Sequence, residues 1–284
     1  MWKDSYLVGV DLIDDQHKYL FKAIEKLINS LKFLKKTNYK KQLYDTTAFL
    51  KDYCLIHFND EQEYMKSIGF EGYEAHKQKH DKLLGDAMEY RNKLIKTNFD
   101  HHIVESFLGF LTTWIIYHVG VEDQQIPKKE LISSSKIKYD DVYHEYADNV
   151  KEVLNILAGL SGSGVSYAIG NDNYMDSGVC YQVMLKNAPP NHSYIGFVYS
   201  DSLAYGLVKE MTDMDAAEFN DLMYSALQEI SAIIGAKIAG TLSRETGSVI
   251  SIEPPKHVQI GDINKTASGL AVYTQLGAME VFFN

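Results

Sequence analysis

The chain has 284 residues, with 28 Lys and Arg against 38 Asp and Glu, giving a formal net charge of −10. Residues 1–150 carry 21 basic and 24 acidic groups and residues 151–284 carry 7 and 14; neither part is basic, which argues against nucleic acid as a partner and against attraction to an anionic membrane surface. A hydrophobic fraction of 45% supplies core for one large domain or two ordinary ones.

Taken in chain order, the first 125 or so residues predict helix after helix. Asp14 and Asp15 place acidic groups at a helix start, where the helix dipole favours them. Leu20, Phe21, Ile24, Leu27, Ile28 and Leu31 then recur at three- and four-residue spacing, an amphipathic stripe. A second stripe runs through Leu43, Thr47, Leu50, Cys54, His57, Glu61 and Met65 and stops before Gly69, a residue suited to a helix C-terminus. A third starts near Tyr73 and carries His76, His80, Leu83, Leu84, Ala87 and Leu94. A fourth begins near His101 and carries Ile103, Phe107, Phe110, Leu111, Trp114 and His118. Four helices with short connections predict an antiparallel four-helix bundle over residues 1–130.

Pro127 closes this region, and the serine cluster in Leu131–Lys138 predicts a linker, residues 131–139. Over 140–284 the texture changes. A helix is expected at Val142–Leu160, with strands at Gly164–Ile169, Gly178–Leu185, Tyr194–Val198, Val249–Ile252, Gly269–Gln275 and Met279–Phe283. Helices at Asp201–Met211 and about Asp215–Leu242 interrupt them. This order predicts an α/β (α+β) domain on a mostly antiparallel sheet. Cys54 and Cys180, far apart and only two, read as buried free thiols in a reducing compartment. The N-terminus lacks the cationic start and apolar stretch of a signal peptide, and no run approaches the ~20 apolar residues of a membrane span; a cytoplasmic protein is expected.

Seven residues stand out within the helical region. They are His17 in DDQH, His57 and Glu61 in HFNDE, His76 and His80 in HKQKH, and His118 and Asp123 in HVGVED. His57 with Glu61, and His76 with His80, are i, i+4 pairs that project from one face of a helix. His118 and Asp123 are i, i+5, about 140° out of alignment on an ideal α-helix, so the fourth helix is expected to loosen or end between them, with Gly120 easing the change. Polar and charged groups on the inward stripes of a bundle are costly unless something satisfies them. A metal does so, and an imidazole-dominated site suits Fe, Zn, Cu or Ni over Mg or Ca. A hydrolytic zinc enzyme fits poorly, because seven protein ligands leave little open coordination.

With these motifs, and with Trp2 near the start and WIIYHVGVED at 114–123, the N-terminal ~127 residues resemble a bacterial hemerythrin. The resemblance implies two iron ions joined by an oxo or hydroxo bridge, with Glu61 and Asp123 bridging both. It implies that His76, His80 and His118 complete one iron and that His17 and His57 serve the other, which keeps an open position for dioxygen. Five histidines with two carboxylates favour reversible binding over oxidation chemistry. Cys54 lies a turn before His57 and reads as core. Trp114 and Val119 flank His118 and could line an apolar pocket or simply be bundle core.

In the second region, Ala226, Ile230, Ile233, Ile234 and Lys237 share one helical stripe, and Ser225, Glu229, Ala232 and Ala236 another. With Pro255, the spacing of Ser225, Glu229 and Ala232 resembles the motif of the CheX/CheC chemotaxis phosphatases. The family's asparagine, which positions the attacking water, is Ala232 here, and alanine has neither donor nor acceptor. The resemblance implies a CheY-like response regulator as partner, met by Glu229, and a homodimer through this domain. The substitution argues against an enzyme, since positioning carries much of such phosphoryl transfer. The expected protein is therefore a dioxygen sensor reporting through a signalling module. Oxygen storage or iron buffering with a passive second domain, and an oxygen-regulated receiver phosphatase, are the alternatives.

Overall fold

The computed structural model describes residues 1–31, 39–126, 142–159, 165–169, 175–190, 192–214, 220–264 and 268–284. Pro127 and the expected linker at 131–139 lie outside the described residues. The chain divides into two compact units, one holding the N-terminal helices and the other most of the C-terminal part.

Four long helices build the first unit: α1 (Asp11–Leu31), α2 (Tyr39–Ser67), α3 (Tyr73–Lys96) and α4 (His101–Tyr117). α1 packs on α2 and α4, and α3 packs on the same two, which is the cyclic order of a bundle. The predicted stripes are the buried faces: Leu20, Phe21, Ile24, Leu27 and Ile28 from α1, and Leu43, Leu50 and Met65 from α2. Each such side chain contributes about 1.5–3 kcal/mol when fully buried. α1 begins three residues earlier than Asp14. Asp14 instead ties down the preceding arm, accepting the backbone N–H of Val8 (2.7 Å) and Gly9 (3.0 Å). Trp2 of that arm packs edge-on against Tyr6 and Phe21. α2 ends before Gly69, whose φ of +64° is the left-handed conformation glycine adopts freely. Asp100 caps α4, accepting the N–H of His102.

Residues His101–Gln125 are long and apolar enough to cross a membrane, contrary to the sequence expectation, but most of that stretch is buried inside the protein. A helix packed on several sides is apolar nearly all round. α4 does not continue as an α-helix past Tyr117. A π-helical turn, His118–Glu122, follows, and then a 3-10 turn, Asp123–Gln125.

The second unit is α+β, as expected. Its elements are α5 (Val142–Ala158), β1 (Val165–Ile169), β2 (Val179–Lys186), β3 (Tyr194–Tyr199), α6 (Asp201–Thr212), α7 (Asn220–Thr246), β4 (Ser251–Ile252), β5 (Lys256–Val258), β6 (Ser268–Thr274) and β7 (Gly277–Phe283). The sheet order is β1-β6-β7-β3-β2-β4, with β5 also on β2, and every pairing is antiparallel. β5 was not expected, and β4 is shorter than the predicted Val249–Ile252 because only Ser251 and Ile252 pair with β2. The helices cover one face, where Tyr146 of α5 packs on Phe283 of β7. On the other face Cys180, Val198, Ile263 and Phe282 form a small buried cluster. Cys180 is buried and outside any disulfide; Cys54, expected to be buried, likewise forms no disulfide and is only half-buried.

Candidate metal centre

All four helices of the first unit deliver side chains to one place. His17 comes from α1, His57 and Glu61 from α2, His76 and His80 from α3, and His118 and Asp123 from the π turn and the residue after it. All seven are buried, four of them completely. The π turn is what lets the last pair meet. The backbone N–H of Asp123 donates to the carbonyl of His118, five residues back, and the wider turn brings the fifth residue over the first.

The donor atoms fall into two overlapping sets. Glu61, His76, His80, His118 and Asp123 form one, and His17, His57 and Glu61 the other. Asp123 touches both: its Oδ1 lies 3.0 Å from His118 Nε2 and 3.3 Å from His76 Nε2, and its Oδ2 lies 3.1 Å from His17 Nε2. Glu61 Oε2 lies 3.2 Å from Nε2 of both His76 and His80. Metal–ligand bonds of about 2.0–2.2 Å at right-angled to tetrahedral geometry put neighbouring donors about 3.0–3.5 Å apart, and these separations match.

The hydrogen-bond ledger favours the same conclusion. Nε2 of His17 and His57, Oε1 of Glu61 and both carboxylate oxygens of Asp123 are buried without a hydrogen-bond partner. They approach one another closely yet not in hydrogen-bonding directions. Such groups persist in a core only when an ion or another group satisfies them. The donor set, imidazole with carboxylate, fits iron.

The electrostatics point the same way. Burial, helped by His17, pushes His57 down to about 3, and burial pushes His80 down to about 4, so both are neutral imidazoles at pH 7, the form a metal takes. Burial would also lower His76, but Asp123 and Glu61 outweigh it and hold it up at about 9. Burial and Asp123 would raise Glu61, yet His76 and His80 keep it at about 2. Burial likewise opposes ionisation of Asp123, and His118 leads the influences that hold it well below the usual carboxylate range. Two ionised carboxylates inside an apolar bundle make a cation-seeking centre.

Two rings pack flat against ligand histidines: Phe58 on His80, with centroids 3.8 Å apart, and Trp114 on His118, at 4.2 Å. Both also border an apolar cavity of about 50 Å³ in the bundle, with Cys54, Leu83 and Leu111 among its walls. Trp114 thus takes the pocket role considered for it, whereas Val119 is fully buried elsewhere. Gln16 and Asp60 carry a role the sequence reading missed. Gln16 reaches His57, and Asp60 holds Gln16; adjacency to His17 and Glu61 was the only signal they gave.

In the second unit, Ser225, Glu229 and Ala232 lie on α7, with Ser225 buried and the other two half-buried. Pro255 falls between β4 and β5, and its carbonyl accepts Gln228 Nε2 at 3.2 Å.

Residues 8–128 match the family model described as the hemerythrin HHE cation binding domain. The chain is 32% identical over 125 residues to a bacteriohemerythrin of Clostridium acetobutylicum, covering 44% of this chain and 96% of that one. By structure, it is similar to a chemotaxis protein CheX of Vibrio vulnificus (16% identity, 49% of this chain, 96% of that chain, TM-score 0.39). It is also similar to a chain of the CheX–CheY–BeF3–Mg complex of Borrelia burgdorferi (21% identity, 50% and 95% covered, TM-score 0.40).

Proposed function

Because the chain belongs to the hemerythrin family through its N-terminal part, we propose that it binds dioxygen reversibly at two irons and reports their ligation through its second domain. The observation that carries this reading is the convergence of seven buried donors in two sets that share Glu61, with Asp123 reaching both. His76, His80 and His118 would hold one iron, and His17 and His57 the other. Glu61 and Asp123 would bridge them. When bound, two such irons supply the electrons that make dioxygen binding reversible. The protein's own part is to hold the imidazoles in place, His57 and His80 in the neutral form, to keep two carboxylates ionised, and to surround the site with apolar walls such as Phe58, Leu111 and Trp114 that limit water. The smaller set offers fewer protein donors, which supports an open position on its side.

The test is anaerobic purification, an iron count per chain, and the visible spectrum as oxygen is added and withdrawn. Two irons and a reversible change are expected. Fewer irons, or an irreversible change, would undo the reading.

We read the second domain as the output module. The support is the spacing of Ser225, Glu229, Ala232 and Pro255, with the first three on one helix. Glu229 is the proposed contact to a CheY-like receiver, and Ala232 argues for binding without efficient dephosphorylation. Sensing requires that ligation favour one conformation over another; equal receiver affinity and equal assembly state with and without oxygen would reduce the protein to an oxygen or iron store. The domain boundaries proposed remain 1–130 and 140–284.

A further inference from the structure

We propose that Gln16 is a positioning residue: it holds His57 in the one tautomer and orientation that turns Nε2 toward the other donors of the centre. The hydrogen-bond chemistry around Gln16 admits one proton arrangement. Gln16 sits on α1 directly before His17 and is buried. Its Nε2 donates to Asp60 Oδ2 at 2.6 Å, and its Oε1 lies 3.0 Å from His57 Nδ1. A carboxylate only accepts, so the amide end at Asp60 is the NH2 and the end at His57 is the carbonyl. A carbonyl also only accepts, so Nδ1 of His57 carries the proton and Nε2 keeps its lone pair. That Nε2 is the atom with no hydrogen-bond partner, and it belongs to the set formed with His17 and Glu61.

Nothing comparable directs two other histidines of the centre, since Nδ1 of His17 and of His80 has no hydrogen-bond partner. The smaller donor set therefore depends on Gln16 for one of its two imidazoles. Asp60, next to Glu61 in sequence, sets the direction of the amide and so of the whole chain Asp60–Gln16–His57. A partner of this kind fixes the ring and tunes its basicity, and its loss typically weakens metal binding 10–100-fold, roughly.

The inference rests on the proposed metal centre, and the experiment separates the two. In metal-free, 15N-labelled protein at neutral pH, long-range 1H–15N spectra of the imidazoles should show His57 protonated on Nδ1. Q16L should lose that signature, and the charge-neutral double variant Q16E/D60N, in which the new amide donates to the new carboxylate, should retain it. Anaerobic Fe(II) titration of the same proteins should show Q16L weakening one ion by about 10–100-fold while the other binds as in the wild type, with Q16E/D60N within a few-fold. Should Q16L fail to fold, D60N replaces it. An Asn there can donate as well as accept, so the Gln16 amide is free to turn and mixed tautomers are expected. A Q16L or D60N protein that keeps the Nδ1–H signature overturns the inference, as does equal weakening of both ions. A wild type that shows the signature but takes up no metal overturns the metal centre, and with it this role, while leaving the hydrogen-bond chain in place.

Discussion

The backbone N–H of Asp123 bonds to the carbonyl of His118, and this link across five residues brings both side chains to one site. The α-helical neighbour of His118 would be Glu122. That carboxylate is instead paired with Lys79 outside the centre. Asp123→Ala should therefore not be rescued by the adjacent acid. Metal at about 100 times its Kd should stabilise the wild type by roughly 2.7 kcal/mol per site; the variant should show little of that gain in thermal melts with and without Fe(II). An undiminished gain would mean that Glu122 can take over and that the π turn does not select the ligand.

The apolar cavity beside the centre sets how core substitutions behave. Ile24, which lines it and is nearly fully buried, should cost about 2–5 kcal/mol when replaced by alanine, because the new space adds to an existing void. Ala87→Leu, on another wall, should cost less than about 1.5 kcal/mol, since there is room for part of the side chain. Urea unfolding of the metal-free proteins compares the two, and a larger loss for Ala87→Leu would mean the void is not there.

Cys54 borders the same cavity, and although the residue as a whole is only half-buried, desolvation of its sulfur pushes the thiol up to about 12. The thiolate is the reactive form, so at pH 8 Cys54 should be alkylated far more slowly in the folded protein than in the urea-unfolded chain. Peptide mass mapping distinguishes it from Cys180. Equal rates at Cys54 would show that solvent reaches the sulfur.

Ala232 is half-buried on α7. If only the amide is missing from the motif, Ala232→Asn should shorten the lifetime of a phosphorylated CheY-like receiver while the wild type leaves it nearly unchanged. A silent A232N that still binds the receiver would mean that Ser225, Glu229 and Pro255 do not form a catalytic surface.

The helices of the bundle and the seven residues of the centre were legible in the sequence because both follow from local geometry. Leu20, Ile24 and Leu27 recur with the helical period, and His57 with Glu61 and His76 with His80 fall one turn apart, so a one-dimensional pattern already assigns each to the inward face. The break after Tyr117 was also legible, as a misfit: five residues cannot align on an α-helix. The strands were legible as alternating runs except where they are shortest. β5 holds only three residues, and its place beside Cys180–Gln182 of β2 depends on a partner about 75 residues away, judged from their positions in the chain.

What the sequence by itself determined is which residues could be ligands and which helix faces they share. It could not determine how the helices meet, and that decided the rest. Asp123 joins the two donor sets because its two oxygens face histidines from three different segments. Gln16 directs His57 because α1 and α2 bring residues 41 apart in the chain to 3.0 Å. Phe58 becomes a wall of the site only when α2 leans on His80 of α3, whereas Trp114, four residues before His118, is set beside it by the helix itself. Periodicity records the direction of a side chain around its own helix; what that side chain meets is settled by the packing of the other helices.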